Sequence, residues 1–586
     1  MELAAGGPWQ GLMLRRSPRS GDRRSMSPCQ GPPAATLGRR RGATNEESPR
    51  TTDMRVVSAD QAAQLVESND TIVIGGSGGG HAVPEALIAA IEKRFLAEGV
   101  PRQITSLHPV GLGDRGSRGV SRFAHEGLLK RIVCGTLVDS PRVEEMALAN
   151  QVEAYTLPQG AISQLMREMA AGRPGLITHA GLHTFVDPRH GGGRQSERSG
   201  DALVELVTVG GREWLYYKPF KLDIALLRGT TADEDGNVTM EHEAIFGEMI
   251  SMAQAVRAQG GVVIVQVKRL AKRGSLPAKQ VKIPGMLVDL VVVDADQMQT
   301  YHSAYNPTYA GELKVPMSQI APLPFDPRKV IARRAAMELV PDAICNLGSG
   351  ISTGIATIGA EEGVLDQVVL TNEQGLIGGA PASGNEVGAS RNYWAMVDQP
   401  YQFDFYDGGG LDLAFLSFAE VDRDCNVNVS RFGNRIIGPG GFINISQGAK
   451  KMIFSGTFTA GGLKLEWPDG RLKVVQEGRE AKFVERVTQL SYSGRYARER
   501  GQEVLYVTER AVFRATDAGL TLTEIAPGAD LERDVLAQMG FRPHIASDLK
   551  TMDARLFRPE PMGLAAELAS RAPAARSARL MRLGAR

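Results

Sequence analysis

The sequence lacks the features that define several common protein classes. Its four cysteines, Cys29, Cys134, Cys345 and Cys425, are widely separated and form no C-x-x-C pair, so neither a disulfide framework nor a cysteine zinc site is indicated. The apolar runs, such as "GGVVIVQV" from Gly260, are far shorter than the roughly 20 residues that span a bilayer. We therefore predict a cytoplasmic protein with no transmembrane segment.

An excess of one charge sign is also missing. The 67 Lys and Arg residues nearly balance 66 Asp and Glu residues, and this balance offers no global attraction to nucleic acid or anionic lipid. Glycine, in contrast, is abundant at 67 of 586 residues, which predicts many tight turns and close backbone approaches. Because single cores stop growing at roughly 250 to 300 residues, this chain is expected to contain at least two domains.

The two ends differ in composition from the middle. Residues 1–53 are rich in Arg, Ser, Gly and Pro without helical or strand periodicity, and we predict a disordered N-terminal extension there. Met54 precedes the first patterned segment and is interpreted as the more natural start. The Ala- and Arg-rich residues 561–586 are interpreted as a solvated basic tail, with a basic helix as the alternative.

Strand and helix patterns alternate between these ends. The run "DTIVIGG" from Asp70 stops at glycine, and "VPEALIAAIEKRFLAEG" from Val83 has helical spacing and a terminal glycine. The segments "DAICNLGSG" and "STGIATIGAEEG" repeat this order later in the chain. Such alternation predicts parallel sheets covered by helices, and hence an α/β fold.

An internal repeat divides the chain into two related halves. "LDIALLRGTTADEDGNV" from Leu222 matches "LDLAFLSFAEVDRDCNV" from Leu411, with Asp and Asn residues at equivalent positions in both. We therefore predict two related, fused open-sheet α/β domains, at residues 54–320 and 321–560.

The glycine loops partly match known phosphate and nucleophile motifs. "GGSGGG" from Gly75 lies between a strand and a helix, where anions bind, but His81 replaces the last glycine of a dinucleotide fingerprint, and no Gly-Lys-Ser/Thr sequence follows. G-x-S-x-G surrounds both Ser77 and Ser352, as in a serine hydrolase. The only late histidine that could complete a triad is His544, in a polar segment, which argues against that interpretation.

Three histidines offer a possible metal site. His179 and His183 have the H-x-x-x-H spacing of a helical metal site, and His190 follows. Pro188 and the glycines from Gly191 favour a loop instead. We predict a metal-free loop that lines the cleft.

A lone carboxylate, Glu373, separates the apolar run "VVLT" from the glycines of "GLIGGAP". Ligands of open α/β sheets gather outside the carboxyl ends of the strands, and this position would expose the carboxylate beside a permissive backbone. Taken alone, a strand-end Glu is more often a turn residue.

Five segments together extend the interpretation of Glu373. The strings "TNEQGLIGGAP", "NLGSGISTGIA", "TLPQG", "GGSGGGHAVPEALI" and "RIIGPGGFINIS" resemble the family I coenzyme A transferases, and in particular the single-chain acyl-CoA:acetate or 3-ketoacid CoA-transferases. The resemblance covers roughly Met54 to Phe557. It implies a two-domain α/β fold, a homo-oligomer (dimer or tetramer), no metal, and no permanently bound cofactor. It also implies acyl-CoA and short-chain carboxylates as substrates, with coenzyme A (CoA) as substrate and covalent intermediate.

The same resemblance implies roles for individual residues. Glu373 matches the catalytic glutamate that becomes a thioester to CoA, and Gln159 matches the glutamine that resembles an oxyanion donor. The residues with implied contacts to CoA are Gly348, Gly350, Gly378, Gly379, Gly440, Gly441 and Lys451, the last near its phosphates. Asp407 and Asn434 are expected in the cleft without an assigned role.

The chemistry gives an independent reason for a carboxylate nucleophile. Moving CoA between carboxylates without hydrolysis needs an intermediate close in energy to both acyl-CoA thioesters, and a glutamyl thioester meets that need. The predicted function is therefore transfer of CoA to a short-chain acid such as acetate, propionate, butyrate or acetoacetate. Two alternatives are an acyl-CoA hydrolase that uses the same cleft and a catalytically silent CoA-binding protein.

Overall fold

An eight-stranded parallel sheet forms the centre of the N-terminal half. The computed structural model describes residues 55–574, so the prediction for residues 1–53 lies outside the described residues. Every neighbouring pair of strands in this sheet is parallel. Their order across the sheet is Arg55–Val57, Leu290–Val293, Val262–Val267, Ile224–Arg228, Thr71–Ile74, Ile104–His108, Leu129–Cys134 and Glu153–Thr156.

Helices cover both faces of this sheet. Along one strand Ile72 and Ile74 pack into one hydrophobic cluster, while Val73 between them packs into another. This alternation follows from the two-residue period of a strand, and burial of both faces explains why central strands such as Thr71–Ile74 and Ile224–Arg228 are mostly apolar. The α-helices of this half are Ala59–Ala63, Glu85–Glu98, Pro141–Leu148, Gln159–Ala170 and Met249–Ala258.

A ten-stranded sheet forms the centre of the C-terminal half. Its five central strands, from Val369–Thr371 to Glu503–Val507, are parallel, and antiparallel pairs extend it on both sides. The last strand, His544–Thr551, pairs parallel with Gly519–Ile525. The order is Ala395–Met396, Leu376–Ile377, Val369–Thr371, Ile344–Leu347, Leu413–Ser417, Lys451–Ser455, Glu503–Val507, Ala511–Thr516, Gly519–Ile525 and His544–Thr551. The α-helices are Pro327–Ala336, Gly354–Glu361, Gln399–Asp407, Phe442–Gly448, Gly494–Glu499 and Leu564–Ser570.

One hydrophobic cluster joins the two halves. It contains Val73 and Leu165 from the N-terminal half and Phe403, Ile445 and Phe454 from the C-terminal half. Helix Gln159–Ala170 packs there against helix Gln399–Asp407. The mixed α/β architecture agrees with the predicted fold class, and the two halves share an interior, which fixes the carboxyl ends of both sets of parallel strands around a common cleft.

The remaining strands form small sheets. One has three strands, Leu176–Thr178, Arg212–Tyr217 and Val204–Val209, and one has four, Arg269–Ala271, Thr231–Asp233, Val238–Thr239 and Val281–Ile283. The two-stranded sheets pair Ala380–Pro381 with Ser390–Arg391, Glu420–Val421 with Val427–Asn428, Arg431–Phe432 with Arg435–Ile436, Thr459–Ala460 with Glu480–Ala481, and Lys464–Glu466 with Lys473–Gln476.

The predicted repeat is visible in hydrogen bonds. Asp223 accepts a bond of 3.0 Å from the Thr71 N–H, and Asp412, its counterpart, accepts one of 2.9 Å from the Ile344 N–H. Both carboxylates precede a central strand and join it to the neighbouring strand. In each half a later Asn also closes a tight turn by donating a side-chain hydrogen bond to the Asp four residues before it, and these residues are Asn237 and Asn426.

The C-terminal stretch differs from the predicted solvated tail as far as residue 574. Leu564 and Leu568 are buried against the C-terminal half. The Glu362 carboxylate accepts hydrogen bonds from the N–H groups of Met562 (2.7 Å) and Leu564 (3.0 Å), which satisfies donors at the start of helix Leu564–Ser570. Spaced leucines in an otherwise Ala- and Arg-rich segment supply the apolar face that packs.

Two further findings concern membrane spans and the cysteines. Between residues 55 and 574, no helix is both long and apolar enough to cross a membrane. Cys134, Cys345 and Cys425 are buried and form no disulfide.

Candidate active site

A cavity of about 320 Å³ lies where the two halves meet. From the N-terminal half it is lined by the glycine loop after strand Thr71–Ile74 and by the loops that follow the next two strands of the sheet. From the C-terminal half it is lined by the loops after strands Ile344–Leu347 and Val369–Thr371 and by the segment before helix Phe442–Gly448. The predicted site residues among the lining are Gln159, Gly348, Glu373, Gly440 and Gly441.

Glu373 lies in the turn that follows the buried strand Val369–Thr371. The chain reverses immediately, because Leu376–Ile377 pairs antiparallel with that strand. Gly375 has a φ of +98°, and a Cβ there would lie 2.0 Å from the Val397 carbonyl oxygen, so only glycine fits. The turn presents the Glu373 side chain to the cavity, as the sequence predicts for the end of a parallel strand.

The environment of Glu373 disfavours its charge. Burial raises the pKa of this carboxyl above its ordinary value, and hydrogen bonds with the backbone and with the side chains of Gln374 and Asn346 oppose the shift. Gln374 Nε2 lies 3.4 Å from Glu373 Oε1. A carboxylate that is partly removed from water is a stronger nucleophile than a fully hydrated one.

Gln159 is the first residue of helix Gln159–Ala170 and lines the same cavity. Its backbone N–H donates a hydrogen bond of 2.9 Å to the Gly440 carbonyl. The side chain is only 2% exposed, and none of the described residues accepts a hydrogen bond from its Nε2. A buried amide donor without an acceptor is costly, which indicates that a ligand supplies the acceptor.

Gly440 and Gly441 place the backbone close to the two predicted catalytic side chains. A Cβ on Gly441 would lie 3.4 Å from Glu373 Cγ, and a Cβ on Gly440 would lie 3.8 Å from Gln159 Oε1. Gly440 has a φ of +50°, which disfavours larger residues. Gly348 closes another wall, where a Cβ would meet the Leu416 side chain at 2.5 Å.

Four predicted contacts to CoA lie outside the cavity lining. Gly350 begins a 3₁₀ turn beside the lining residue Ser349. Gly378 donates its N–H to the Leu370 carbonyl at 2.8 Å, so this N–H is already paired within the sheet. A Cβ on Gly379 would lie 2.0 Å from the Arg391 carbonyl oxygen, so close packing requires glycine at this position.

Lys451, the fourth, begins strand Lys451–Ser455 and thus lies at its amino end. Its ammonium forms ion pairs of 2.8 Å with Glu338 and 2.9 Å with Glu503. The cavity lies at the opposite, carboxyl end of these parallel strands. Lys451 therefore lies at the other end of its strand from the cavity.

Asp407 and Asn434 do not line the cavity. Asp407 accepts hydrogen bonds from Asn444 and Gln164, and burial raises its pKa to about 6. Asn434 is exposed in the turn between Arg431–Phe432 and Arg435–Ile436.

The histidine loop is correctly predicted as a loop but lies elsewhere. His179 and His183 line a second cavity of about 500 Å³ with Trp214, Tyr496 and Arg500. Strand Leu176–Thr178 pairs with Arg212–Tyr217 in the three-stranded sheet, and this pairing draws the loop away from Glu373.

Among residues 55–574, the fold gives the hydrolase motif no catalytic partner. Ser77 lines the cavity, but His544 lies on the edge strand His544–Thr551 of the other half. His81 is nearer to Ser77, yet its Nε2 lies 3.1 Å from the Val387 carbonyl, and burial lowers its pKa to about 4. Ser352 is buried with its hydroxyl 3.5 Å from that of Ser417.

Sequence inspection missed part of the lining from the N-terminal half. Asp139 and Arg115 face the cavity, with 3.5 Å between Asp139 Oδ1 and Arg115 Nε. Burial raises the pKa of Asp139, and the Arg115 charge opposes that rise. The string "GLGDRG" after strand Ile104–His108 was the available signal for Arg115, since it is another glycine-rich loop at the end of a strand.

Comparison with known proteins defines the class. The sequence profile described as Coenzyme A transferase matches residues 56–294, and two curated CoA-transferases are 45% identical to the chain over most of their length. The chain therefore belongs to the coenzyme A transferase family and is a CoA-transferase, as the resemblance of its motifs predicts.

The individual relatives cover almost the same region. Acetate CoA-transferase YdiF of Escherichia coli (strain K12) is 45% identical over 509 residues, 87% of this chain and 96% of the relative. Caffeate CoA-transferase of Acetobacterium woodii is 45% identical over 518 residues, 87% of this chain and 98% of the relative. Crystal structures of acyl-CoA transferase YdiF from E. coli O157:H7, as apoenzyme and as thioester complex with CoA, match with a TM-score of 0.84 and 44% identity, over 88% of this chain and 98% of the other.

Proposed function

We propose that the chain transfers CoA from a short-chain acyl-CoA to a short-chain carboxylate by a ping-pong mechanism, with Glu373 as the nucleophile. The observation that carries this proposal is that Glu373 and Gln159 line one cavity, with Glu373 next to Gly441 and Gln159 next to Gly440. The thioester complex of the relative YdiF supports a covalent CoA intermediate for this chain.

The first half-reaction has two steps. A Glu373 carboxylate oxygen attacks the acyl-CoA carbonyl carbon, the C–S bond breaks, and CoA leaves as thiolate. The mixed anhydride of Glu373 and the acyl group remains on the enzyme. The thiolate then attacks the Glu373 carbonyl carbon of that anhydride and expels the first acid as carboxylate. A glutamyl-CoA thioester remains, and an incoming carboxylate reverses both steps. No proton changes hands, so no general base is needed.

Gln159 supplies the electrostatic part of this mechanism. Each tetrahedral intermediate places negative charge on an oxygen, and the unpaired Nε2 of Gln159 is a donor already desolvated beside the cavity. A donor that is positioned in advance does not reorganise as the charge develops. Enclosure between the two halves would keep water from the anhydride and the thioester.

The finer parts of the proposal concern substrates, assembly and location. Acetate, propionate, butyrate and acetoacetate are the proposed acids, and the acetate CoA-transferase among the relatives supports the first. The caffeate CoA-transferase has the same identity to this chain, so transfer to a larger acid is the competing proposal. Activity measured for each pair of acyl-CoA donor and acceptor acid would distinguish the two. A homo-oligomer in the cytoplasm completes the proposal.

The test is to trap the intermediate. Incubation with acetyl-CoA, without an acceptor acid, should leave one CoA adduct per chain on the peptide containing "LTNEQGLIGG". Borohydride should reduce that thioester and inactivate the enzyme, whereas enzyme without acyl-CoA, which carries only a carboxylate, should survive. Glu373→Ala should abolish adduct and transfer together. An adduct on Ser77, Ser352 or a cysteine, or transfer by Glu373→Ala, would contradict the mechanism.

The hydrolase alternative is separated by the same incubation. A hydrolase would release CoA steadily in the absence of an acceptor acid, and the adduct would not persist. The transferase should release one equivalent of acid per chain and then stop until acceptor is added.

A further inference from the structure

We infer that Asp407 and Asn444 are positioning residues for the transfer reaction: they clamp the first turn of the helix that begins with Gln159 and so hold this side chain in the cavity that Glu373 also lines. The inference rests on the proposed role of Gln159. Neither Asp407 nor Asn444 lines the cavity, so any effect on transfer must pass through another residue.

The clamp starts at the N-terminus of helix Gln159–Ala170. The first N–H groups of a helix have no partner within it. Here the Gln159 N–H donates to the Gly440 carbonyl at 2.9 Å, and the Gly160 N–H donates to Asn444 Oδ1 at 3.1 Å. Both acceptors belong to the C-terminal half, so the helix of one half begins on atoms of the other.

Asn444 is itself held by a buried carboxylate. Its Nδ2 donates to Asp407 Oδ1 at 3.0 Å and Oδ2 at 3.1 Å, and Asn444 is fully buried. Gln164, one turn along the clamped helix, also donates to Asp407 Oδ2, at 2.9 Å. These bonds fix which end of the Asn444 amide faces Gly160, because only the oxygen can accept the Gly160 N–H.

Close packing leaves the clamped turn little freedom. A Cβ on Gly160 would lie 2.5 Å from Phe403 and 2.6 Å from Asn444 Nδ2, so the helix backbone lies directly on these two side chains. Phe403 is also 3.5 Å from the Cβ position of Gly441. A small displacement of the first turn would therefore move Gln159 relative to Gly441 and Glu373.

A small displacement of Gln159 is expected to lower the rate of transfer measurably. A misplacement of about 1 Å can cost roughly 100-fold in rate even when the mutation lies outside the reacting groups. Asn444→Asp would place two carboxylates against each other and loosen the clamp. It should lower kcat by roughly 10- to 100-fold while KM for acetyl-CoA changes by less than about twofold, since the interaction with Gln159 is made mainly in the transition state.

The double variant Asp407→Asn/Asn444→Asp provides a rescue. It exchanges amide and carboxylate between the two positions, so the new amide at position 407 could donate to the new carboxylate at position 444. That carboxylate could still accept the Gly160 N–H. We expect kcat to return to within about threefold of the wild type. The single variant Asp407→Asn keeps one acceptor oxygen for two amide donors and should give an intermediate loss.

A matched control reproduces the same electrostatic change away from the site. Asn237 Nδ2 donates to Asp233 at 3.1 Å, and its Oδ1 accepts the Gly285 N–H at 3.0 Å, the same hydrogen-bond pattern as at Asn444, although Asn237 is less buried. Neither Asn237 nor Asp233 lines the cavity. Asn237→Asp should lower the thermal midpoint as Asn444→Asp does, yet leave kcat unchanged.

The deciding experiment is a kinetic cycle with Gln159→Ala. If the clamp acts through Gln159, Asn444→Asp should cost less than about threefold further in kcat in the Gln159→Ala background. An equal loss in both backgrounds, a change confined to KM, or a folded exchange variant that stays inactive would overturn the clamp. If Gln159→Ala alone keeps full kcat, the proposed oxyanion role fails instead, whatever Asn444 does. Should Asn444→Asp not fold, Asp407→Asn and the exchange variant carry the same test.

Discussion

The Glu248 carboxylate accepts a hydrogen bond of 2.7 Å from the Ser163 hydroxyl, in the buried region where helices of the two halves meet. It also accepts one from the Gln399 side chain at the start of helix Gln399–Asp407. Oε2 of Glu248 is buried and has no partner among the described residues. Because the group is buried and one of its oxygens lacks a partner, its neutral form is favoured, although the hydrogen bond from Ser163 favours the charged form.

Burial raises the pKa of Glu248 from 4.5 to about 8, and this shift makes stability depend on pH. Below pH 4.5 the group is protonated in both states and has no effect. Between pH 4.5 and 8 the unfolded chain loses the proton that the folded chain keeps, so the free energy of unfolding falls as pH rises. Above pH 8 the cost is constant.

Glu248→Gln should therefore raise the thermal midpoint, by roughly 2 to 5 °C at pH 8, with little difference at pH 4.5. The amide keeps the shape and an acceptor oxygen but cannot ionise. Glu243→Gln is the matched control: Glu243 is equally buried but pairs with Arg228 at 3.0 Å, so its neutralisation should destabilise the fold. A pH-independent effect of Glu248→Gln would contradict this account.

Gln159→Ala should lower kcat and kcat/KM together, by roughly 100-fold or more, because an oxyanion donor acts mainly in the transition state. Initial rates at saturating and limiting acetyl-CoA measure the two constants. The circular dichroism spectrum should be unchanged. A rise in KM without a loss of kcat would identify Gln159 as a contact to bound substrate instead.

Removal of residues 561–586 should lower the thermal midpoint by several degrees and leave kcat unchanged. Leu564 and Leu568 would be lost from the core of the C-terminal half, and the Glu362 carboxylate would lose its backbone donors. A chain ended at Ala574 keeps these contacts and serves as the control. Equal midpoints for the two shortened chains would show that the helix contributes nothing.

Local patterns predicted Glu373 and its turn because the determinants are adjacent in sequence. An apolar strand, an acid and a glycine at positive φ lie within a few residues of one another, and the strand end fixes where the side chain lies. The repeat likewise predicted two related sheets. The pairing of Asp223 with Thr71 and of Asp412 with Ile344 shows why those aspartates recur.

Contacts between distant segments could not be predicted in the same way. Gly378 follows Glu373 closely in sequence, but its N–H donates a hydrogen bond within the sheet. The register of the strands determines that pairing. Lys451 lies at the amino end of its strand, and the loop with His179 follows a strand of a different sheet. Asn444 and Gly160 are far apart in sequence, so their hydrogen bond appears only once the two halves pack.

Initial-rate kinetics test whether the first acid leaves before the second binds. If Glu373 carries CoA between the half-reactions, double-reciprocal plots against acetyl-CoA at several fixed acceptor concentrations should be parallel, because no complex contains both substrates. Labelled acetate should also exchange into acetyl-CoA in the absence of any other acid, since the first half-reaction is complete and reversible by itself. Glu373→Asp, which withdraws the carboxylate by one methylene, should lose most of both activities in proportion. Intersecting lines, or exchange that requires a second acid, would indicate a ternary complex and direct transfer, and the cavity would then have to hold both acids beside Glu373 at once.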